Sequence, residues 1–364
     1  MNKKIIFSGG GTGGHIFPAI NLMKHFFNKE YKVLLVTDSR GNNFIKNNSE
    51  FKSYTIKAGT PTNKNLFKKF FSYFLIFYSI IRSILILKKE KPDLIFGFGG
   101  YVSFPISFAS KFFGFPLIIY ENNLVLGRAN KYLLNFSKKI FVAKKIVLNF
   151  PEKHKNKISE VGTILNKDII NSPITKKNYN KDNFSIIVLG GSQGTEIFGI
   201  IVPSVIKMLK EKGYKIRIMQ QCIFSQKNSI IDFYKKNGIE NYVFEFDNNI
   251  LKLISSSDLA ITRCGASTIA ELAHTLTPFI GVPLPNSIDN HQYLNAKYYE
   301  NKKCCWILEQ KNFNNENLFN LILETLKNRN KLENIYESMK KNYSQNVYNN
   351  IEKEIKEFIK WKLI

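Results

Sequence analysis

The sequence predicts an α/β protein built from two doubly wound, parallel-sheet domains of Rossmann-like construction. Three observations carry this expectation: a length of 364 residues, a strand, glycine loop and helix at the N-terminus, and a second opening of the same grammar near residue 185. A chain of this length exceeds what one core usually fills, so two domains of ordinary size are expected. With 44% hydrophobic and 22% charged residues, the composition is globular, neither disordered nor that of a multi-span membrane protein.

The first domain opens with the apolar run Ile5–Phe7, the glycine loop Gly9–Gly14, an amphipathic stretch ending near Asn28, and a second apolar run, Val33–Val36. This is a strand, a tight turn, a helix and a parallel strand. The pattern continues through Leu94–Phe96, Leu117–Ile119 and Ile140–Val142. The polar, Lys- and Asn-rich segment Glu152–Asn183 holds the crossover. The second domain begins at Ser185–Leu189, followed by the loop Gly190–Gly194 and helical periodicity over Phe198–Leu209. Further strands are expected at Lys215–Met219, Leu259–Thr262 and Phe279–Val282. The expected boundaries are residues 1–163, residues 164–340, and a charged C-terminal helix, 341–364, packing back towards the first domain.

One stretch breaks the pattern. Phe70–Ile81 is aromatic and uncharged, with Lys64, Lys68 and Lys69 before it and Lys88, Lys89 and Lys91 after. Its uncharged core falls short of the ~20 residues that span a bilayer. Aromatics flanked by lysines suit a helix lying in the interface of an anionic membrane. A crossover helix packed on the sheet is the plainer reading, and both hold together, because a packed helix buries one stripe and this one is apolar almost all round.

The balance of 53 Lys+Arg against 28 Asp+Glu, a net charge of +25, implies an anionic partner: nucleic acid, nucleotide phosphates or an acidic membrane. The joint abundance of Lys, Asn, Ile and Phe also fits AT-rich codon usage. The basic residues spread along the chain instead of clustering with stacking aromatics, which argues against nucleic acid. Cys222, Cys264, Cys304 and Cys305 form no CxxC pair and have no His at zinc-ligand spacing, so they read as reduced cytosolic thiols. The run Ile5–Phe7 behind the basic Met1–Lys4 is too short for a signal-peptide core.

Gly9-Gly10-Gly11-Thr12-Gly13-Gly14-His15 lies between a strand and a helix, where consecutive amides can face a phosphate. The spacing is not GxGxxG, and Asp38 is the only acidic residue closing the next strand, so a nicotinamide cofactor fits poorly. His15, at a helix start, is either a capping residue or a base kept neutral by the helix dipole. Gly97-Phe98-Gly99-Gly100-Tyr101 offers a second cradle in the same domain, and Gly190-Gly191-Ser192-Gln193-Gly194 a third in the other. All three are expected to line one cleft at the carboxyl ends of the strands. In Arg263–Glu271, small residues let a helix N-terminus approach a pyrophosphate, and Glu271 stands where it can accept from ribose hydroxyls. The plain alternative makes Glu271 a solvated helix carboxylate and Arg263 a neighbouring surface charge. Asp289-Asn290-His291-Gln292 is a polar helix start suited to sugar hydroxyls, or simply a cap.

Taken in order, GGGTGGH, GFGGYVS, YENN followed by GRANK, GGSQG, RCGASTIAEL and DNHQ resemble the MurG family. These N-acetylglucosaminyltransferases convert lipid I to lipid II in peptidoglycan synthesis. The resemblance runs from the first strand to about Ala296. It implies a GT-B fold whose N-terminal domain takes the lipid-linked acceptor and touches the membrane through the apolar stretch, and whose C-terminal domain takes UDP-N-acetylglucosamine. Residue by residue, the implied donor contacts fall on Thr12, Gly13, Gly14, Asn123, Asn166, Ser192, Asp247 through its backbone, Ala266, Ser267, Thr268, Ile269, Ala270, Glu271 and Gln292. The acceptor diphosphate falls on Gly10, Gly11, Gly99, Gly100 and Tyr101, and His15 takes the place of the base. Two departures stand out. An Asn-Pro-Val-Arg run typical of the family is Thr163-Ile164-Leu165-Asn166 here, so Asn166 replaces an arginine. Lys167 beside it is a point charge that cannot reproduce a bidentate fork. Asn122 replaces a family glutamine.

The resemblance therefore implies an inverting transfer from UDP-N-acetylglucosamine, a substrate, to the C4 hydroxyl of the muramyl sugar of lipid I. No obligatory cofactor or metal is expected, since no Asp-x-Asp motif is evident. The expected location is peripheral, on the anionic cytoplasmic face of the cell inner membrane, with no nucleic-acid partner. The nearest rival is another GT-B enzyme, a glycolipid glycosyltransferase or a UDP-sugar 2-epimerase. A basic nucleic-acid-binding protein and a dinucleotide-dependent oxidoreductase each lack their own signature.

Overall fold

The computed structural model describes residues 3–45, 51–57, 59, 66–171, 177–179, 182–191, 194–247, 249–342 and 346–360. The chain divides into two compact units, residues 1–166 with 344–364, and residues 167–343.

The first unit carries β1 (Lys4–Ser8), β2 (Lys32–Thr37), β3 (Lys52–Thr55), β4 (Leu94–Gly97), β5 (Leu117–Glu121), β6 (Lys139–Val142) and β7 (Ile158–Glu160), in the order β3-β2-β1-β4-β5-β6-β7. The second carries β8 (Asn183–Leu189), β9 (Lys215–Gln221), β10 (Glu240–Phe244), β11 (Leu259–Thr262), β12 (Phe279–Gly281) and β13 (Trp306–Ile307), in the order β10-β9-β8-β11-β12-β13. The central strands are buried on both faces, which is why Ile5-Ile6-Phe7 and Ile186-Ile187-Val188 read as unbroken apolar runs. In each sheet the chain reverses its direction of winding between two neighbours, β1 and β4 or β8 and β11. Ser8 pairs with Gly97 and Leu189 with Thr262, so two loops leave each switch point side by side, where open α/β sheets bind ligands.

The helix Leu66–Glu90 is packed the wrong way out for a soluble protein. Ser72, Ser79, Ser83, Ile86, Leu87 and Glu90 form its buried stripe. Phe67, Phe70, Phe71, Tyr73, Phe74, Phe77, Tyr78, Ile81 and Leu85 are exposed. Two of the serines are satisfied by carbonyls: Ser79 Oγ donates to the Lys57 carbonyl, outside the helix, at 2.5 Å, and Ser83 Oγ to the Ser79 carbonyl one turn back at 2.7 Å. Burial alone would raise the Glu90 carboxyl, but hydrogen bonds from Lys52, Tyr54 and Lys4 bring it down to about 2, and that network ties the helix end to β1 and β3. The helix is longer than its uncharged core suggests. Lys69–Glu90 is long and apolar enough, by length and composition, to cross a membrane.

The helix Val347–Lys360 belongs to the first unit although it follows the second in sequence. Tyr348 donates to the Leu165 carbonyl at 2.6 Å, His25 Nε2 meets Glu352 Oε1 at 2.7 Å, and Lys139 reaches Glu354 at 3.0 Å.

Candidate active site

In the first unit, β1 ends in a loop whose Gly11 has φ +81°, and Thr12 takes the extended N-cap conformation before the helix Gly13–Phe27. β4 is followed by Gly99 and Gly100, with φ +81° and +72°. The two loops touch. A Cβ built on Gly99 would lie 3.2 Å from His15 Cε1, one on Gly100 3.0 Å from His15 Cδ2, and one on Gly10 2.9 Å from Asp38 Oδ1. Glycine is needed at 99 and 100 both for backbone conformation and so that the imidazole can lie against the turn. His15, Gly10, Gly99 and Gly100, widely separated in sequence, thus meet at one point. Tyr101 sits in the first turn of the helix Gly100–Ala109. Asp38 is occupied otherwise: Oδ1 accepts from Gly41 N at 2.9 Å and caps the short helix Ser39–Asn43.

A buried carboxylate that the sequence reading left without a role organises the neighbouring loop. Glu121, 2% exposed, ends β5. Its Oε1 accepts from Asn123 N and Nδ2 at 3.1 and 3.2 Å, and its Oε2 accepts from Gly127 N at 2.8 Å and Asn130 Nδ2 at 3.0 Å. Asn130 lies close to Gly99 as well, its Nδ2 3.2 Å from a Cβ built there. Glu121 and Asn130 therefore link the loop bearing Asn123 to the glycine turn. The Tyr120 hydroxyl donates to Asn122 Oδ1 or the Gly162 carbonyl and accepts from Ile164 N at 3.1 Å. That ties the same loop to the segment Thr163–Asn166, where Asn166 itself is exposed.

In the second unit, Gly190, Gly191, Gly194 and Thr195 form the turn between β8 and the helix Glu196–Glu211, and Thr195 Oγ1 donates to the Gly190 carbonyl at 2.8 Å. Ser192 lies outside the described residues. After β11, Gly265 N-caps the helix Ala266–His274 without any side-chain cap, and a Cβ built on it meets nothing within 4 Å. The space beside Gly265 is open at the start of this helix, and the first amides of a helix are a suitable place for an anion. Ile269 and Ala270 are buried in the helix's packed face. Gln292 braces this turn: its Oε1 accepts from Cys264 N and Leu284 N, both at 3.1 Å, leaving the amide nitrogen to donate. Asp289 and Asn290 take left-handed φ of +51° and +54° just before it, a conformation Asp and Asn tolerate. The Asp247 carboxylate accepts from Tyr242 OH at 2.7 Å and Asn249 N at 2.6 Å on the surface of the unit.

Two plain readings fail. Glu271 is not a solvated carboxylate: part of it reaches solvent, yet the crowding of protein around it pushes its pKa up to about 7. Arg263 is not a surface charge but is buried, 7% exposed, a fact that periodicity cannot reveal for a residue between a strand and a turn. Among the described residues, no group of three His, Cys, Asp or Glu side chains suits a metal ion.

Two parallel α/β sheets, each with paired loops at its switch point, define a protein of the GT-B fold. The glycosyltransferase family 28 N-terminal domain matches residues 5–142, and the family 28 C-terminal domain residues 185–355. A UDP-N-acetylglucosamine--N-acetylmuramyl-(pentapeptide) pyrophosphoryl-undecaprenol N-acetylglucosamine transferase of Pelagibacter ubique is 35% identical over 98% of both chains. The protein of the same name from Rickettsia canadensis is 38% identical over 91% of this chain and 93% of its own. The chain belongs to this family, the MurG glycosyltransferases. Among solved structures, Acinetobacter baumannii MurG superposes with a TM-score of 0.78 at 24% identity, covering 98% of this chain and all of that one. A putative UDP-N-acetylglucosamine 2-epimerase from Listeria monocytogenes shares the fold with a TM-score of 0.68 at 11% identity, over 96% of this chain and 95% of its own. Fold alone does not separate the transferase from the epimerase; the sequence relationship does.

Proposed function

We infer that this protein transfers N-acetylglucosamine from UDP-N-acetylglucosamine to the muramyl sugar of lipid I, forming lipid II for peptidoglycan. The observation that carries this reading is end-to-end similarity to relatives bearing that activity in their names. The acceptor's C4 hydroxyl attacks C1 of the donor sugar from the face opposite the diphosphate, the C1–O bond to UDP breaks, and the configuration inverts to a β-1,4 link. His15 takes the hydroxyl proton as general base; its seat against Gly99 and Gly100 supports that role, because those glycines are the turn assigned to the acceptor diphosphate, with Gly10, Gly11 and Tyr101. Thr12, Gly13, Gly14 and, from the loop after β5, Asn123 are assigned to the donor. In the second unit the helix start Ala266–Thr268 takes the donor diphosphate and offsets the charge of departing UDP, with Ser192 from the neighbouring loop. Glu271 and Gln292 accept from and donate to sugar hydroxyls, and the Asp247 backbone meets the uracil. No cofactor takes part in this scheme.

The exposed aromatic face of Leu66–Glu90, with Lys88 and Lys89 at its end, supports peripheral attachment to the anionic cytoplasmic face of the inner membrane.

The test is a transfer assay with a lipid I analogue and either UDP-N-acetylglucosamine or UDP-glucose, with the product followed by mass. A disaccharide product from the first donor alone is expected, and none from either would overturn the reading. His15→Ala is expected to lower turnover by ~10²-fold or more while UDP affinity stays near wild type. Wild-type turnover in that variant would end the base assignment.

A further inference from the structure

Arg263 carries a charge that the fold does not balance. Every hydrogen bond it donates goes to a neutral oxygen. Nε reaches Thr195 Oγ1 at 3.3 Å, Nη1 the Val282 and Pro283 carbonyls at 3.0 and 3.2 Å, and Nη2 Gln310 Oε1 at 2.6 Å. The guanidinium lies 5.1 Å from the centroid of the Phe198 ring. Among the described residues no Asp or Glu pairs with it. Burial pulls its pKa down, with the Cys264 thiol, not a carboxylate, as the opposing influence. Desolvating a cation costs several kcal/mol, and carbonyl dipoles offset only part of that. A buried guanidinium held by neutral groups alone is therefore a site whose counter-charge comes from elsewhere.

The partners locate it. Thr195 closes the Gly190–Gly194 turn through its bond to the Gly190 carbonyl. Val282 and Pro283 follow β12. Arg263 itself opens the turn into Ala266–His274. The charge thus sits at the junction of the two loops that leave the switch point of the second unit, the pair assigned above to the donor diphosphate.

We propose that Arg263 is the positioning residue for the donor diphosphate, a buried cation that holds both anion-binding loops in place and is neutralised by the diphosphate when the nucleotide binds. The same field stabilises the additional negative charge that the β-phosphate acquires as the C1–O bond breaks. This inference rests on the reading of the second unit as the UDP-sugar site.

Gln310→Glu and Arg263→Gln test it, each titrated calorimetrically with UDP, UMP and uridine. Gln310→Glu sets a carboxylate against Nη2 without removing a hydrogen-bond acceptor, and it should fold at least as stably as the parent. Both variants are expected to bind UDP roughly tenfold or more weakly, UMP with a smaller loss, and uridine within about twofold of wild type. Loss of UDP and uridine affinity by the same factor would assign Arg263 a scaffolding role only and overturn the proposal. So would a Gln310→Glu variant that binds UDP as the parent does. A folded wild-type protein that binds none of the three would overturn the nucleotide-site reading itself, a result distinct from either.

Discussion

Glu271 holds an ionisable group where the protein disfavours its charge. The folded chain keeps this proton to higher pH than the unfolded chain, which releases it near 4.5. The contribution of Glu271 to stability is therefore fully present below about pH 4.5 and is lost as pH rises through about 7. Glu271→Gln removes that loss. Its expected urea midpoint is indistinguishable from the parent's near pH 4 and corresponds to ~1–3 kcal/mol more stability at pH 8. The same variant should bind UDP at least roughly tenfold more weakly, because an amide cannot accept from both ribose hydroxyls as a carboxylate does. Gained stability with lost affinity is the signature of a residue kept for binding; unchanged affinity would remove Glu271 from the donor site. Its position was legible from the sequence, two turns into a helix whose start is all small residues. Its desolvation was not, because crowding around one carboxylate depends on neighbours distant in sequence. The same holds for Glu121 and Arg263. Each ends or follows a strand, and only the fold decides whether such a residue meets water or a ring of backbone groups.

At the scale of elements, Leu66–Glu90 sets nine large apolar side chains towards solvent and a line of serines towards the protein. An exposed face of this size is itself an interaction surface. Replacing Phe70, Phe74 and Phe77 together by serine is expected to abolish co-sedimentation with vesicles containing anionic lipid, since each ring withdrawn from lipid forfeits ~1.5–3 kcal/mol. Transfer to a short-chain, water-soluble acceptor should continue at a rate near the parent's. Undiminished sedimentation would show that the membrane is held elsewhere. The helix and its aromatic excess were legible from composition. The orientation was not, because an almost wholly apolar helix has no strong face in its pattern, and the decisive feature is the spacing of Ser72, Ser79 and Ser83. The strand and glycine-loop openings were legible for the opposite reason: a parallel strand buried on both sides must be a short apolar run, and a turn that brings amides to a phosphate requires glycine.

For the whole molecule, the two units have separate hydrophobic cores, and the C-terminal helix reports on only one of them. In Glu352 burial alone would raise the pKa, but His25 and Lys29 outweigh it and hold the carboxyl below its usual range. Tyr348→Phe with Glu352→Gln removes the hydrogen bond to Leu165 and this ion pair. The double variant should lower the stability of the first unit by ~2–4 kcal/mol and its melting transition with it. The transition that UDP shifts upward, belonging to the second unit, should stay where it is. A single transition displaced as a whole would mean that the two cores melt as one cooperative body.

The helix that completes the first unit is made only after the whole of the second. A ribosome must finish all of residues 167–343 before Val347–Lys360 can dock, so the first unit waits through the synthesis of the second without the segment that clamps Val161–Leu165. During that interval the aromatic face of Leu66–Glu90 has already left the exit tunnel. Translation order thus gives a bilayer, or a holdase, the opportunity to cover that face before the enzyme is whole.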